Sequence, residues 1–211
     1  MKSTVEKLIK SYPSAKDRVS GHAANLGDYT KLEQTLTELF EKIGKLDHVI
    51  YTAGDPLAMM KIDSIDIDKV LKAGTVRFFG PLILSKIAPR YLSGGPKSSI
   101  TLTTGSVSEK PRPDWAVING FATGLQGLTR GLALDLKPIR VNLVSPGAVD
   151  TELWSHMTEQ QKEDLKKRIV NSVPTGRFGR VEDVAESYLY LLKDENVTGS
   201  MISTNSGALL V

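Results

Sequence analysis

The chain has 211 residues, of which 40% are hydrophobic and 24% charged, so a single domain with its own hydrophobic core is expected. Its net charge of +3 is the small difference between 27 basic and 24 acidic residues spread along the chain, which argues against a nucleic-acid-binding surface, where the positive charge would be clustered. The absence of cysteine excludes disulfides, thiol catalysis and cysteine-ligated metals, and His22, His48 and His156 lack the spacing of metal ligands.

Hydrophobic periodicity predicts that helices and strands alternate along the chain. Helices are predicted over residues 5–10, 29–43, 67–91, 118–136, 157–170 and 182–192, and strands over residues 18–23, 48–52, 98–103, 141–144 and 201–203. Pro81 and Pro89 are expected to kink or break the long third helix, and the residues from Thr158 to Gln161 have the pattern of a capping box. This alternation is typical of an α/β fold with a doubly wound parallel sheet.

The most informative loop follows the predicted strand at residues 141–144. Ser145-Pro146-Gly147 ends this strand because proline cannot continue a central strand, and glycine lets the backbone approach a ligand closely. In an open parallel sheet, ligands bind beyond the carboxyl ends of the strands. The residues that follow, including Val149-Asp150-Thr151, are therefore a candidate binding loop. An ordinary Pro-Gly turn is the alternative interpretation of these residues taken alone.

Four segments, in the right order, resemble the short-chain dehydrogenase/reductase family, and the resemblance covers nearly the whole chain. Residues 129–151 resemble the family's helix, sixth strand and nicotinamide loop, and Thr52-Ala53-Gly54 resembles its Asn-Asn-Ala-Gly turn. Residues 174–185 resemble its late Pro-x-x-Arg-x-Gly segment, and residues 198–202 resemble its last strand. The resemblance implies one Rossmann-like domain over residues 1–211 and an oxidoreductase that uses a nicotinamide cofactor.

The glycine-rich phosphate loop that opens a nucleotide-binding Rossmann fold is missing. No glycine precedes Gly21, so the resemblance begins inside the family's second strand-helix unit, and about fifty residues are expected to be missing. The sheet should then be incomplete, lacking the first strand-helix-strand unit, with an open apolar edge at His48 to Thr52 and no partner for Arg18 to Ala23. A truncated form of a complete enzyme is favoured, and a genuine short form with a rearranged edge is the alternative.

The Tyr-x-x-x-Lys pair of the family is also missing. In the register that the resemblance gives, the tyrosine position falls on Ile118 and the lysine position on Ala122, and neither side chain can move a proton. The serine position falls on Gly105, or on Ser106 if the loop differs by one residue. The asparagine position falls on Arg77. Catalysis by a tyrosine-lysine pair is therefore not expected, whatever the fold suggests.

Arg77, Ser106 and Trp115 are the candidate catalytic residues that remain. Arg77 would need an anionic or hydrogen-bonding partner; it would hold a cofactor phosphate or polarise a substrate carbonyl, and the alternative is a salt bridge to an acidic neighbour such as Asp114. Trp115 would stack on a flat hydrophobic substrate, or else cap the core as a loop aromatic. Asp114 or Arg112 would supply proton transfer or charge stabilisation, unless they are ordinary solvated charges.

The resemblance implies NADP(H) as the cofactor and assigns residues to it. Leu26 takes the position that contacts adenine, although Asn25 replaces the usual aspartate, and Arg77 is the candidate for a cofactor phosphate. The remaining cofactor-binding residues that the family implies are Ala53, Gly54, Pro146, Gly147, Val149 and Thr151. Residues 153–173 would form a substrate lid. Its expected apolar contacts are Trp154, Leu165 and Ile169.

Arg77 and Trp115 together resemble fungal members of the family that are associated with indole-alkaloid biosynthesis. We therefore predict NADP(H)-dependent reduction of a carbonyl or an imine/iminium small molecule in secondary metabolism, in which hydride passes directly and the pocket mainly orients the substrate. One alternative is a non-redox cyclase or isomerase that reuses the pocket. The other is a catalytically inactive subunit that pairs with a complete paralogue.

The expected partners are a small-molecule substrate and further copies of the chain, with no nucleic acid and no membrane. The helix at residues 182–192 and the apolar tail at residues 207–211 resemble the oligomer-forming surfaces of the family, so a homo-oligomer, a dimer or tetramer, is predicted. No apolar run is long enough to cross a bilayer. The N-terminus lacks the apolar segment of a signal peptide, and a cytoplasmic location is predicted.

Overall fold

Four parallel strands form the centre of the computed structural model, which describes residues 2–155 and 157–211. They lie side by side in chain order and are β1 (His48–Ile50), β2 (Ser99–Thr103), β3 (Arg140–Pro146) and β4 (Met201–Thr204). Val49 lies opposite Ile100, and Leu143 lies opposite Met201. The parallel sheet confirms the predicted α/β fold class.

Seven α-helices connect these strands and cover the sheet in the same described residues. They are α1 (Lys2–Ser11), α2 (Leu32–Ile43), α3 (Ile67–Gly74), α4 (Gly80–Ile87), α5 (Ala116–Asp135), α6 (Glu159–Ser172) and α7 (Val181–Lys193). Helix α5 packs against β3, and α2 packs against α4. The side chains buried between these layers are apolar and include Leu36, Leu84, Ile100, Leu102, Leu125, Val141 and Leu143. No helix in this part of the chain is both long and apolar enough to span a membrane.

Most of the predicted elements form, with boundaries that differ by at most three residues. The capping box at the start of α6 is confirmed atom by atom. The Thr158 hydroxyl accepts from the Gln161 N–H at 3.2 Å, and the Gln161 side-chain oxygen accepts from the Thr158 N–H at 2.9 Å. Because a capping box depends only on residues within one turn, its sequence pattern is sufficient to predict it.

The strand predicted for Arg18 to Ala23 is wrong. Residues 13–18 form a short 3₁₀ turn, and residues 19–26 are irregular. A strand needs a neighbour to bind its backbone N–H and C=O groups, and the described residues offer none here. As expected, β1 is the edge of the sheet, and Ile50 in that strand is 42% exposed.

The long third predicted helix is interrupted, as Pro81 and Pro89 led us to expect. The segment Thr75–Phe79 forms a π-helical turn, in which the N–H of Gly80 donates to the carbonyl five residues earlier. In this register the carbonyl of Val76 falls opposite Pro81, which has no N–H to donate. Helix α4 follows, and a 3₁₀ turn that contains Pro89 ends the segment. The interruption places Arg77 in a π-turn, a feature that is frequent at functional sites.

Arg140, at the start of β3, is a buried cation that ties the sheet to α7. It is only 3% exposed. Its guanidinium donates to the carbonyls of Leu191 at 2.7 Å and Leu192 at 3.2 Å, and its Nε donates to the carbonyl of Pro96 at 2.6 Å. The last carbonyls of a helix have no N–H partner within that helix. Arg140 therefore caps α7 and holds it against the sheet.

Replacing Arg140 by methionine is expected to lower the free energy of unfolding by about 3 kcal/mol, because several buried carbonyls lose their donor at once. Arg140→Lys should fall in between, since one ammonium group cannot reproduce the planar fork of donors. Urea unfolding measures both effects. The control is Arg130→Met on the exposed face of α5, where a change within about 0.5 kcal/mol is expected. An Arg140→Met protein as stable as the parent would contradict this capping role.

Candidate active site

The carboxyl ends of the strands bring the predicted binding loops to one edge of the sheet. Thr104, which follows β2, donates its N–H to the carbonyl of Val144 at 2.9 Å. Gly147, which follows β3, donates its N–H to the carbonyl of Thr204, also at 2.9 Å. These bonds align the loop that contains Ser106 with the loop that begins at Pro146 and with the end of β4. This is the edge at which open parallel sheets bind ligands.

Arg77 forms an ion pair with Asp55 at this edge. The Nε atom of Arg77 lies 3.2 Å from Oδ1 of Asp55, and the two side chains are 29% and 32% exposed. The Nη2 atom of Arg77 also donates to the backbone carbonyl of Asp55. The expectation of an acidic neighbour is therefore correct, but Asp114 is not the partner. Asp114 instead has a positive φ of 64°, and its backbone carbonyl accepts from the N–H of Met60 at 3.0 Å.

The guanidinium of Arg77 lies flat against the backbone of Gly54. A Cβ atom built on Gly54 would be 3.0 Å from each of Cζ, Nη1 and Nη2 of Arg77. A side chain at this position would require the guanidinium to shift by a few tenths of an ångström. Gly54 was predicted as a cofactor-binding residue, and the structure gives it a further role as the surface on which Arg77 rests.

Tyr51, immediately after β1, is hydrogen-bonded to the π-turn. Its hydroxyl donates to the carbonyl of Val76 at 2.6 Å, which is the carbonyl that Pro81 leaves without a helical partner. Burial, and secondarily the Asp55 carboxylate, raise the pKa of Tyr51 well above its ordinary value. Tyr51 is therefore a structural donor and not a replacement for the missing catalytic tyrosine.

Three phenylalanines form an aromatic wall beside the π-turn. Phe78 and Phe79 lie next to each other with ring centroids 5.6 Å apart, and both contact Phe121 of α5, at 5.5 and 6.0 Å. Gly74 and Gly124 make room for these rings, since an added Cβ on either would fall within 3.0 Å of a ring carbon. The rings join α5 to the π-turn, while the neighbouring guanidinium of Arg77 contacts Gly54 and Asp55.

Helix α5 carries the two positions of the missing catalytic pair. Ile118, at the tyrosine position, is 7% exposed and belongs to the core. Ala122, at the lysine position, accepts a hydrogen bond through its backbone carbonyl from the hydroxyl of Thr104 at 2.9 Å. The helix is therefore intact and anchored to the end of β2, but it presents no titratable group at either position.

The other two catalytic candidates lie in the segment between β2 and α5. Ser106 opens a 3₁₀ turn, and the preceding Gly105 approaches the Pro146 carbonyl, since its Cβ would be 3.7 Å away. Trp115 is partly buried, and the guanidinium of Arg112 lies 5.3 Å from its ring centroid, a cation–π distance. Among the described residues, no hydrogen bond or ion pair joins Arg77, Ser106 and Trp115.

The loop after β3 contacts Asn205, Gly179 and Trp154. A Cβ on Gly147 would come within 2.8 Å of the Asn205 backbone, so glycine permits this close approach. Val149 forms a β-bridge with Gly179, and its carbonyl accepts from the indole N–H of Trp154 at 2.8 Å. The Thr151 hydroxyl makes no hydrogen bond within residues 2–155 and 157–211 and is free to bind a ligand.

The predicted adenine end of the cofactor site involves Leu26 and the neighbouring Asn25. Leu26 is partly buried against the hydrophobic core. The side chain of Asn25 turns back to accept the N–H of Gly27 at 3.0 Å. Ala53 lies between Tyr51 and Gly54 at the end of β1, where it was expected. The part of Ala53 and Leu26 in cofactor binding is still a prediction.

The predicted lid contains α6, which has no fully buried residue. Two clefts lie between α6 and the loop at residues 176–182, with volumes of about 490 and 130 Å³, and both are lined by Asp150, Lys166 and Phe178. Trp154 lines the smaller one. Both clefts are lined by residues of α6, and Arg77 lines neither of them. Elsewhere in the described chain, no three His, Asp or Glu side chains are grouped as a metal site.

The fold and the site together define a member of the short-chain dehydrogenase/reductase family. A family profile described as an SDR-like Rossmann domain matches residues 1–211. The chain is 42% identical to the short-chain dehydrogenase/reductase fsr5 of Gibberella fujikuroi over 212 residues, which cover 99% of this chain and 80% of that protein. The chain therefore belongs to this family, and it resembles the family's fungal members.

Two solved structures have the same fold. The MalC reductase/Diels-Alderase of Malbranchea aurantiaca superposes with a TM-score of 0.89 at 35% identity, covering 99% of this chain and 84% of that one. A small-chain dehydrogenase in complex with NADPH superposes with a TM-score of 0.83 at 30% identity, covering 93% and 92% of the two chains. These similarities confirm the Rossmann-like fold that the motifs implied.

The close packing of Tyr51 on Gly80 predicts coupled stability effects. An added Cβ on Gly80 would collide with the Tyr51 hydroxyl, so Gly80→Ala should cost about 1–3 kcal/mol. Tyr51→Phe should cost about 1–2 kcal/mol, because the Val76 carbonyl loses its donor. In the double variant the colliding oxygen is gone, so the combined cost should be smaller than the sum.

A double-mutant cycle by urea unfolding measures this coupling. Gly127→Ala is the matched control, because nothing lies within 4 Å of its added Cβ on the same kind of helical backbone. That variant should be neutral or up to about 1 kcal/mol more stable. Strictly additive costs for Tyr51→Phe and Gly80→Ala would show that the two residues are not in contact.

Proposed function

We propose that this protein is an NADP(H)-dependent reductase of a small molecule that carries a carbonyl or an imine/iminium group, and that it works without a tyrosine-lysine pair. The proposal is supported by membership of the family, by the similarity to a dehydrogenase solved with NADPH, and by the similarity to MalC, a reductase/Diels-Alderase. Secondary metabolism in a fungus is the setting that the resemblance favours.

The observation that carries the proposal is the placement of Arg77. Its guanidinium is fixed by Asp55 and Gly54 beside the carboxyl end of β1, at the edge where this fold class binds its ligands. The family position that Arg77 replaces is an asparagine of the proton relay. A guanidinium has N–H donors and no acceptor, so it cannot take the place of the asparagine in a proton relay. It can donate hydrogen bonds to a developing negative charge.

The residues at the nicotinamide end suit the cofactor. Gly147 allows close approach, Thr151 has a free hydroxyl, and Val149 offers backbone groups, although its carbonyl is shared with Trp154. When bound, the cofactor supplies a hydride. Pro146, Gly147, Val149 and Thr151 would hold the nicotinamide end, and Leu26, Ala53 and Gly54 would lie along the rest of the cofactor. Arg77 is left for the substrate.

The chemistry of the acceptor explains how the reaction proceeds without Ile118 or Ala122 acting as acids. An iminium carbon is already electron-poor, so hydride transfer to it would form the C–H bond, move the C=N π electrons to nitrogen and give a neutral amine. No proton is required. A carbonyl instead becomes an alkoxide, which Arg77 would stabilise and a water would protonate. In both cases Trp115 and Ser106 would orient the substrate.

A cyclase is the second candidate, because the similar protein MalC is a Diels-Alderase as well as a reductase. Such a reaction needs orientation of the reacting parts and a donor that polarises a carbonyl, and Trp115 and Arg77 would supply these. Formation of a cyclised product without any nicotinamide cofactor would distinguish this activity from reduction.

We also propose that the protein is a cytoplasmic homo-oligomer. Helix α7 exposes Val181, Leu189 and Tyr190 at 47%, 41% and 46% of their surface, and the tail exposes Leu210 and Val211. These apolar groups favour an interface with a second copy. Sedimentation of the purified chain measures the assembly state.

The decisive experiment follows NADPH consumption and the thermal unfolding midpoint in the same preparation. NADPH should raise the midpoint, because only a ligand of the folded form stabilises it. A cyclic iminium such as N-methyl-3,4-dihydroisoquinolinium and a matched ketone then serve as acceptors. Arg77→Met should lower ketone reduction by about 100-fold, the scale of a lost oxyanion donor, and iminium reduction by less than about 3-fold, since no oxyanion develops there.

Arg130→Met on exposed α5 is the control and should leave both rates unchanged. Equal losses on ketone and iminium would contradict the proposed role of Arg77. An unfolding midpoint that ignores NADPH, with no consumption of NADPH by any acceptor, would overturn the reductase and favour the inactive-subunit alternative.

A further inference from the structure

Asp55 and Arg77 form one unit at the edge of the sheet. Asp55 contacts the guanidinium twice, through its carboxylate at Nε and through its backbone carbonyl at Nη2. Both side chains are about one-third exposed, so bulk water screens the pair only in part. The Nε–Oδ1 contact is an ion pair without hydrogen-bond geometry, so the bond from Nη2 to the carbonyl is the contact that positions the guanidinium.

One nitrogen of the guanidinium is left over. Within residues 2–155 and 157–211, Nη1 of Arg77 has no hydrogen-bond acceptor, and it is absent from the buried atoms that lack a partner, so it reaches solvent. Gly54 covers one face of the plane. A ligand at this edge therefore meets the N–H groups of Nη1 and the second N–H of Nη2, with the carboxylate of Asp55 beside them.

The carboxylate also changes the charge of the site. Asp55 offsets the positive charge of Arg77, and the nearby Tyr51 hydroxyl stays neutral because its pKa is raised. A phosphate would bring about two negative charges next to the Asp55 carboxylate, where like charges repel. An uncharged carbonyl oxygen avoids that repulsion and needs only one donor.

We propose that Asp55 is a positioning residue that makes Arg77 a hydrogen-bond donor for an uncharged carbonyl oxygen of the substrate and excludes phosphate from this edge. The inference deepens the proposed function, on which it rests for the binding of a small molecule here. It assigns Arg77 to the substrate and not to a cofactor phosphate, and its test requires no turnover.

The test measures phosphate binding by the whole chain, with inorganic phosphate as the probe at about pH 8 and constant ionic strength. The unfolding midpoint of the parent protein should not rise saturably with phosphate. Asp55→Asn removes the charge at constant shape and should bind phosphate at least about tenfold more tightly, and Asp55→Asn with Arg77→Met should lose that binding. Asp55→Glu keeps the charge and should again exclude phosphate, as the parent does.

A spectroscopic signature follows the positioning directly. In ¹⁵N-labelled protein, the Nε chemical shift of Arg77, assigned by its loss in Arg77→Met, should be similar in the parent and in Asp55→Glu and should move in Asp55→Asn, because the carboxylate charge 3.2 Å from Nε is removed. Two results would overturn the proposal: saturable phosphate binding by the parent that Arg77→Met abolishes, or a folded Asp55→Asn protein that gains none. If Asp55→Asn does not fold, the comparison of the parent with Arg77→Met still decides, because phosphate binding that depends on Arg77 contradicts exclusion. A failed reductase assay leaves these results unaffected, so the two proposals fail separately.

Discussion

The hydrogen bond from Tyr51 to the carbonyl of Val76 is the contact on which the candidate site depends, because within the described residues the π-helical register leaves that carbonyl without a helical N–H partner. The N–H of Gly80 bonds to Thr75 in π-helical register, which shifts Val76 opposite Pro81, and proline has no N–H. An unpaired buried carbonyl costs about 1–3 kcal/mol. Tyr51 removes the cost with its hydroxyl. The bond therefore ties the end of β1 to the π-turn.

This tie has a consequence for Arg77. A π-turn inserts one extra residue into a helix and re-aims the side chains around it. Because Tyr51 fixes the turn to the same segment that continues into Gly54 and Asp55, the guanidinium and its two neighbours are positioned by one short stretch of chain. The aromatic wall on the other side, with Phe78 against Phe121, holds the turn against α5. Within the π-turn, Arg77 therefore contacts the segment after β1, and its neighbour Phe78 packs against α5.

Short sequence patterns were sufficient to predict those structural features that depend only on contacts between residues close in the chain. The capping box at Thr158 and the break before Pro81 are examples, because each follows from residues within one or two turns. The strand predicted for Arg18 to Ala23 failed, since a strand exists only through a neighbour and the pattern of apolar residues does not reveal whether one is present. The position of Arg77 came from the family resemblance, and its approach to the sheet edge follows from the topology.

Asp55 is the residue that sequence reasoning missed, although a signal was available. It follows the Thr-Ala-Gly turn directly, so it had to lie at the carboxyl end of β1, near any side chain that the next helix sends to that edge. Asp114 looked equally suitable because charge alone does not distinguish two carboxylates. Only the fold places the backbone carbonyl and the carboxylate of Asp55 on the same guanidinium.

The losses at Ile118 and Ala122 and the gain of the Asp55–Arg77 unit fit one another physically. A catalytic tyrosine and lysine keep a proton source beside the reacting carbon, which an iminium acceptor does not need. Replacing them by apolar residues removes two groups that hold water, and Ile118 belongs to the core. A drier site strengthens whatever electrostatic contact is left. In this chain that contact is Arg77, and the carboxylate of Asp55 offsets its charge, which fits the proposal that the site takes acceptors that are uncharged or already electrophilic and excludes those that bring a phosphate.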